Sequence, residues 1–234
     1  MSDPTATIGA RLEAIRGRMA AATARSGRPP GAVRLVAVSK TYPAAAVAAA
    51  VAAGQLDFGE NKVQEGLQKI GEATDNRIRW HIIGHLQSNK ARKAAEAFHW
   101  IHAVDGIALL RKLDEGAAAA GRRPKALVQV DLAGEATKFG ASPDELPGIF
   151  AAAAECAAVE LVGLMLLPPA VADPNDARPW FRKLVAVRDG LAASGVPPTR
   201  LSELSMGMSH DFEVAIEEGA TIVRIGSAIF GERS

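Results

Sequence analysis

The sequence predicts an α/β fold, a (β/α)8 TIM-type barrel preceded by one additional helix. Eight short apolar segments have the composition of buried parallel strands. Most of them are followed by a segment with helical periodicity, and such alternation is typical of a parallel sheet with helical crossovers. The chain has 234 residues, which is near the lower size limit of these barrels. A doubly wound open sheet is the alternative, although the first strand–helix turn lacks the glycine-rich dinucleotide fingerprint.

The first element is an amphipathic helix that we expect to cover the barrel. Its apolar residues recur at helical spacing, with charged residues between them. The acidic residues Asp3 and Glu13 and the lack of an apolar signal core argue against a targeting segment. The apolar stripe consists of Ile8, Leu12, Ile15 and Met19.

The remaining elements alternate along the chain. The strand candidates are residues 33–38, 56–58, 78–83, 100–102, 126–130, 159–167, 201–204 and 221–225. The helix candidates are residues 43–54, 63–70, 88–97, 107–121, 142–157, 180–191 and 212–218. We expect the candidate at 142–157 to be interrupted at Pro147 and Gly148. No internal linker appears, so we expect one domain over residues 1–234, of which residues 1–26 form the covering helix.

Composition excludes several classes of protein. Hydrophobic residues make up 48% and charged residues 23%, as in ordinary globular proteins. A net charge of +1 disfavours a nucleic-acid partner, and no apolar run approaches the roughly 20 residues of a membrane span. The single cysteine, Cys156, excludes an internal disulfide and a cysteine-rich metal site. This cysteine usage predicts a cytoplasmic protein.

Functional residues of a barrel lie at the carboxyl ends of its strands. Lys40 follows the first strand directly. A partly desolvated lysine at the barrel mouth has a lowered pKa, and its neutral amine can attack a carbonyl to form a Schiff base. The alternative is a lysine whose amine extends to water at the strand end.

The ends of the last two strands have the composition of a phosphate site. Gly226 allows close approach of the backbone to a ligand, and the Ser227 hydroxyl lies beside it. The segment 205–209 follows the preceding strand, and Ser209 is a candidate helix cap. Barrels often bind phosphate with these two loops. The alternative is that both segments form ordinary turns that bind no ligand.

Three other polar residues have two interpretations each. Arg224 interrupts an apolar strand, so it meets either a ligand or a buried carboxylate such as Glu203. Asn61 either reaches the barrel mouth or caps a helix. His81 lies four residues before His85 across a strand end, where hydrogen-bonded structural roles are favoured over zinc binding.

Taken together, these segments resemble the pyridoxal 5′-phosphate homeostasis protein family, relatives of the alanine racemase N-terminal barrel. They occur in the family's order and span nearly the whole chain. The segments are LVAVSKT (35–41), FGENKVQE (58–65), WHIIGHLQSNK (80–90), GLM (163–165), LSMGMS (204–209) and VRIGSAIFG (223–231).

This resemblance implies a barrel of PLP fold type III that binds pyridoxal 5′-phosphate (PLP). Lys40 would carry the cofactor as an internal aldimine, and Arg224 would face the pyridine nitrogen. Asn61 and Met165 would line the ring pocket. The sequence differs from the family in Ser227, where a threonine is frequent, and in the more apolar stretch after Met165. The phosphate would be held by Ser205, Met206, Gly207, Met208, Ser209, Gly226 and Ser227.

Chemistry favours a binding protein over an enzyme. An arginine at the ring nitrogen stays charged and cannot accept its proton, which weakens the ring as an electron sink. The resemblance implies that racemases of this kind use a second base, a tyrosine contributed across a two-domain dimer. Here the one tyrosine is Tyr42, close to Lys40, and the chain ends at Ser234, so we expect no second domain. We therefore expect a monomeric protein without catalytic residues or metal, which buffers PLP or delivers it to PLP-dependent apo-enzymes. The alternatives are an amino-acid racemase of the alanine racemase type and a phosphate-binding barrel enzyme without PLP.

Overall fold

The computed structural model describes residues 7–134 and 139–231, and within these ranges eight parallel strands close into a barrel. Each strand pairs with the next in sequence, and the last pairs with the first. This topology confirms the predicted (β/α)8 barrel and excludes the open sheet. The strands are β1 Arg34–Val38, β2 Asp57–Glu60, β3 Arg79–Ile82, β4 Trp100–Val104, β5 Lys125–Val130, β6 Glu160–Leu166, β7 Glu203–Ser205 and β8 Ile222–Ile225.

Helices surround the barrel and follow the strands in alternation. Short 3₁₀ turns lie in the connections, among them Ser88–Lys90, Pro143–Glu145, Pro174–Ala177 and Pro198–Arg200. No helix among the described residues is long and apolar enough to cross a bilayer. The α-helices are α1 Ile8–Arg25, α2 Ala44–Ala52, α3 Val63–Glu72, α4 Ala91–Ala97, α5 Ile107–Ala119, α6 Leu146–Ala154, α7 Arg178–Ala193, α8 Phe212–Glu217 and α9 Ser227–Phe230.

Several predicted elements differ in detail from the structure, and two of the differences have a clear local cause. β7 begins two residues later than expected because the chain makes a 3₁₀ turn at Pro198–Arg200, and Leu201 closes that turn by donating to Pro198 O. Pro147 does not interrupt a helix but lies in the first turn of α6, where its missing N–H would have no intrahelical partner. Gly148 continues the same helix.

The covering helix α1 is confirmed over its apolar stripe. Leu12, Ile15 and Met19 are buried, and α1 packs against α2, α8 and α9. Its polar face makes ion pairs with α8, for example Arg18 with Glu213 at 2.9 Å. Exposed pairs of this kind contribute little, so the apolar stripe holds α1 in place. Residues 1–6 of the predicted covering segment lie outside the described residues.

Strand residues alternate between an outer core beneath the helices and the barrel interior. Val223 and Ile225 of β8 belong to the outer core, so Arg224 between them points inward. A small apolar cluster fills part of the interior, formed by Val36, Trp100, Leu127, Val162, Met165 and Ile222. Buried polar side chains occupy other inward positions, namely Asp57, His81, His102, Ser205 and Arg224.

Candidate functional site

A cavity of about 470 Å³ opens where the carboxyl ends of the strands meet. This volume is within the usual range of small-molecule sites. The lining residues lie at the strand ends or in the loops that follow, where a barrel carries its functional groups. They are Val38, Lys40, Asn61, Ile83, Gly84, His85, Leu167, Met208, Ser209, His210, Arg224, Gly226 and Ser227.

Lys40 lies in the cavity wall, two residues beyond the end of β1. The next residue, Thr41, has φ of 68°, a left-handed conformation that β-branched residues rarely adopt. The Thr41 N–H donates a hydrogen bond to Glu65 Oε1 on α3. Such backbone strain persists where surrounding contacts enforce it. Contact with α3 therefore sets the backbone direction beside Lys40.

Beside this turn lies a charged cluster, formed by the buried residues Ser39, Glu60 and Lys69 and the partly exposed Glu65, which we call the Lys69 anchor. Lys69 Nζ donates to Ser39 O at 2.6 Å, to Glu60 Oε1 at 2.8 Å and to Glu65 Oε1 at 2.9 Å. Ser39 Oγ also donates to Glu60 Oε1, at 2.6 Å. One ammonium group thus ties the backbone before Lys40 to both β2 and α3.

Glu60 depends on this cluster for its charge. Its side chain is fully buried, and its Oε2 atom has no hydrogen-bond partner among the described residues. Burial raises the pKa of Glu60 although Lys69 and Ser39 both donate to it. Loss of the Lys69 ammonium would leave a buried carboxylate without a compensating charge.

Arg224 is a buried cation at the base of the cavity. Its side chain donates from Nη1 to Ser205 Oγ at 2.6 Å and from Nη2 to Leu166 O at 2.9 Å, and both partners are neutral. Burial lowers the pKa of Arg224 to about 10, so the guanidinium keeps its charge at neutral pH. A buried charge is normally paired or bound to a ligand.

The alternative of an ion pair between Arg224 and Glu203 is wrong. Glu203 Oε2 accepts a hydrogen bond from Thr221 Oγ1 at 2.6 Å instead. Among the described residues, no carboxylate lies within ion-pair distance of Arg224. The buried Asp211 raises the pKa of Arg224 through its charge but makes no ion pair with it, so the guanidinium can still contact a group in the cavity.

The loops after β7 and β8 meet on one side of the cavity. Ser209 Oγ accepts a hydrogen bond from Gly226 N at 3.3 Å, which joins the two loops. A Cβ atom at Gly226 would lie 3.3 Å from Val38 O, a tight contact with the end of β1. Ser209, Gly226 and Ser227 thus lie in the same cavity wall as Lys40.

Four predicted site residues lie behind the cavity wall. Met165 is fully buried in the apolar cluster of the barrel interior, so the structure does not place it along the cavity. Ser205 and Met206 are fully buried as well. Gly207 has φ of +95°, and a Cβ atom there would lie 2.6 Å from Ala215 Cβ. The predicted segment 205–209 therefore presents its last two residues, Met208 and Ser209, to the cavity.

The two histidines of the 80–90 segment have different surroundings. His81 is fully buried inside the barrel, and its ring nitrogens lie 3.0 Å from His102 and 3.0 Å from Asp57, as expected for a structural role. His85 instead lines the cavity, with its Nδ1 atom 3.6 Å from Asp105 Oδ2.

Sequence reasoning missed several apolar residues of the cavity. Val38, Ile83 and Leu167 each lie at or directly after the end of a strand, so their positions alone could have indicated them. Gly84 was also missed. A Cβ atom there would lie 2.5 Å from Asn61 O, so glycine allows the two loops to touch and brings Asn61 to the cavity.

Comparison with known proteins places this chain in a family. Residues 10–234 match the family model for the alanine racemase N-terminal domain, and the chain belongs to that family. A curated relative from Pseudomonas aeruginosa, named pyridoxal phosphate homeostasis protein, is 42% identical over 227 residues, which are 97% of this chain and 96% of the relative. Within the family, the chain therefore belongs with the pyridoxal phosphate homeostasis proteins, which confirms the resemblance seen in the sequence.

Solved structures give the same grouping. The structure of PipY from Synechococcus elongatus without PLP has a TM-score of 0.85 and 42% identity, and it covers 96% of this chain and 100% of PipY. The structure of PipY with PLP bound has a TM-score of 0.83 at the same identity and coverage.

Proposed function

We propose that this protein binds PLP in the cavity at the barrel mouth and serves intracellular PLP homeostasis. The observation that carries this proposal is the shared wall of Lys40, Arg224, Gly226 and Ser227 around one cavity. The groups fit the cofactor, because the buried Arg224 guanidinium is hydrogen-bonded to neutral acceptors and retains a positive charge that can face a polar ring atom. The PLP-bound structure of the similar protein PipY supports the same assignment.

Each wall residue has a separate role in this proposal. When bound, PLP supplies a reactive aldehyde and a conjugated ring that withdraws electrons. Lys40 provides the amine for a covalent bond to it, and Arg224 donates toward the ring nitrogen. Asn61 lies beside the ring. Hydroxyl and N–H groups of Ser209 and Ser227 bind the phosphate, Gly226 allows its close approach to the backbone, and Met208 lies next to them.

The residues behind the wall act indirectly. We propose that Met165 supports the ring pocket from the barrel interior, and that Met206 and Gly207 fix the loop that carries Ser209. Ser205 holds the Arg224 guanidinium through its hydroxyl.

We further propose that the protein is a carrier and not an enzyme. Arg224 cannot accept a proton from the ring nitrogen, so the ring would stabilise negative charge poorly. The Tyr42 hydroxyl donates to Gly231 O, and Tyr42 is not among the described residues that line the cavity. The carrier would work as a cytoplasmic monomer that buffers PLP or passes it to PLP-dependent apo-enzymes.

An amino-acid racemase is the second candidate function. His85 favours it, because this side chain lines the cavity and lies near Asp105. A histidine at such a position can act as a general base. His81, which is fully buried in the barrel interior, cannot take this role.

Exchange of the α-hydrogen of alanine in heavy water separates these two functions. For the PLP-loaded protein we expect exchange far below about 1 per second, the lower end of ordinary enzyme rates. Replacing Arg224 by Glu should raise the exchange rate, because a carboxylate can share a proton with the ring nitrogen. Proton NMR of alanine measures both rates. Turnover by the unmodified protein at enzyme rates would contradict the carrier proposal and assign the base role to His85.

Replacement of Gly226 by Val tests the phosphate contact. The new side chain would press against Val38, so the backbone must move away from its present position. We expect the affinity for PLP to fall more than about tenfold, the loss of one or two charge-assisted hydrogen bonds. The affinity for unphosphorylated pyridoxal should change little. Fluorescence titration with both ligands measures the difference.

Gly190→Val is the matched control, because Gly190 lies in α7 with open space around its Cα atom. This variant should bind both ligands as the unmodified protein does. Equal losses of PLP and pyridoxal affinity in Gly226→Val would mean that these loops do not bind the phosphate.

A further inference from the structure

A continuous chain of buried hydrogen bonds runs from Arg224 through the barrel interior, and we call it the polar chain. Arg224 Nη1 lies 2.6 Å from Ser205 Oγ, which lies 2.9 Å from His102 Nδ1. His102 Nε2 lies 3.0 Å from His81 Nδ1, and His81 Nε2 lies 3.0 Å from Asp57 Oδ1. Besides β8, the strands β7, β4, β3 and β2 contribute one residue each, so the polar chain crosses the barrel from the cavity to the start of β2.

The two ends of the polar chain determine the direction of every hydrogen bond in it. Arg224 can only donate, and an ionised Asp57 can only accept. His81 must therefore donate from Nε2 to Asp57 and accept at Nδ1, so His102 donates from Nε2 and accepts at Nδ1. Ser205 then donates to His102 and presents a lone pair to Arg224. One tautomer of each neutral imidazole satisfies all four bonds.

The surroundings support these protonation states. Arg79 donates to both carboxylate oxygens of Asp57, at 2.8 and 2.6 Å, which keeps Asp57 ionised. Burial lowers the pKa of His81 to about 4. Burial also lowers the pKa of His102, and the charges of Arg224 and Arg34 add to the effect. Both imidazoles are therefore neutral at pH 7.

The polar chain occupies positions that barrels usually fill with branched apolar residues. His81, His102 and Ser205 are fully buried. Burying such groups is unfavourable unless each is satisfied, and a satisfied network fixes one arrangement of its members. Arg224 is the only member of the polar chain among the described residues that line the cavity. The arrangement that the chain fixes is therefore that of the Arg224 guanidinium.

We propose that Ser205, His102, His81 and Asp57 are positioning residues that hold Arg224 in line with the ring nitrogen of bound PLP. This inference rests on the proposed function, since it needs PLP in the cavity. It assigns a role in cofactor recognition to Asp57 and His81, two residues that do not line the cavity.

The test compares PLP with its 1-deaza analogue, in which C–H replaces the ring nitrogen. We expect the unmodified protein to bind PLP at least about tenfold more tightly, the value of one charge-assisted hydrogen bond. His81→Phe breaks the polar chain but keeps an aromatic ring against Trp100, and it should reduce this preference to about threefold or less. His81→Gln can still accept from His102 and donate to Asp57, so it should restore the preference.

His99→Phe is the matched control for His81→Phe. His99 accepts a hydrogen bond from Trp80 N at 3.1 Å and is outside the polar chain, so its loss should leave the PLP preference unchanged. A preference that survives in His81→Phe would overturn the inference while leaving the proposed function intact. Equal affinities for both ligands in the unmodified protein would overturn the placement of Arg224 and the inference with it. Failure to bind PLP at all would contradict the proposed function itself.

Nitrogen-15 NMR of the histidines tests the polar chain without any variant or ligand. We expect the His81 and His102 imidazoles to be neutral at pH 7, each with its proton on Nε2 and with slow solvent exchange. A proton on Nδ1 of His81 or a charged imidazole at either position would reverse or break the chain, and would overturn the inference even if PLP binds.

Discussion

Replacing Lys40 with Ala is expected to abolish covalent retention of PLP while the barrel stays folded. The proposed bond joins Lys40 Nζ to the cofactor aldehyde, and among the described residues that line the cavity Lys40 is the only lysine. The unmodified protein should be yellow after loading with PLP. Reduction with borohydride should attach the cofactor permanently to the peptide that contains residue 40, as seen by mass spectrometry. Lys40→Ala should carry less than about a hundredth of that label.

Lys62→Ala provides the control for this experiment. Lys62 is exposed and directly follows Asn61, so it lies near the cavity without lining it. The control should be labelled as fully as the unmodified protein. Circular dichroism should give the same thermal transition for both variants. A permanent label on another lysine, or undiminished label in Lys40→Ala, would contradict the assignment.

The barrel itself could be predicted because its strands carry a strong local signal. Segments such as 33–38 and 126–130 are short, apolar and flanked by turn residues, which is how buried parallel strands look. The shift of β7 could not be predicted, because its three residues give too short a pattern and the preceding 3₁₀ turn depends on local backbone bonds. The sequence predicts a helix interruption at Pro147, whereas the structure has a helix start there, because proline is compatible with both positions.

Part of the cavity lining could be predicted, because those residues lie at the carboxyl ends of the strands. Lys40, Asn61 and Ser227 lie within two residues of the ends of β1, β2 and β8, and the rule for barrels places them at one end. Met165 and Ser205 point into the barrel but are fully buried, and their depth along the barrel axis could not be predicted, because a continuously apolar strand gives no signal for depth.

The polar chain and the Lys69 anchor gave no signal in the sequence. His102 and Ser205 are 103 positions apart, and their contact exists only because the barrel closes. Lys69 lies in an amphipathic helix, where a lysine is usually exposed. Its burial becomes evident only when α3 is packed beside β2 and the turn after β1.

The Lys69 anchor gives the largest expected effect on stability. Replacing Lys69 with Met removes the hydrogen bonds to Ser39, Glu60 and Glu65 and leaves Glu60 without its counter-ion. Breaking a buried ion pair in this way destabilises proteins by about 3–5 kcal/mol. Urea unfolding at pH 7 should show a loss of this size in the free energy of unfolding. Lys93→Met, which removes an exposed lysine from α4, should change it by less than about 0.5 kcal/mol.

Two further measurements show whether the unpaired Glu60 carboxylate causes this loss of stability. The double variant Lys69→Met/Glu60→Leu removes both buried charges and should regain most of the stability, since apolar replacement of a whole pair is often tolerated. In Lys69→Met alone, the pKa of Glu60 should rise further, since burial already raises it and its counter-ion is gone. A raised pKa in the folded state means that the folded protein binds the proton more tightly, so the deficit should shrink as the pH falls toward 4.5, the ordinary value for Glu. A deficit that is independent of pH and persists in the double variant would mean that Lys69 acts through packing and through the Ser39 carbonyl, and not through the charge of Glu60.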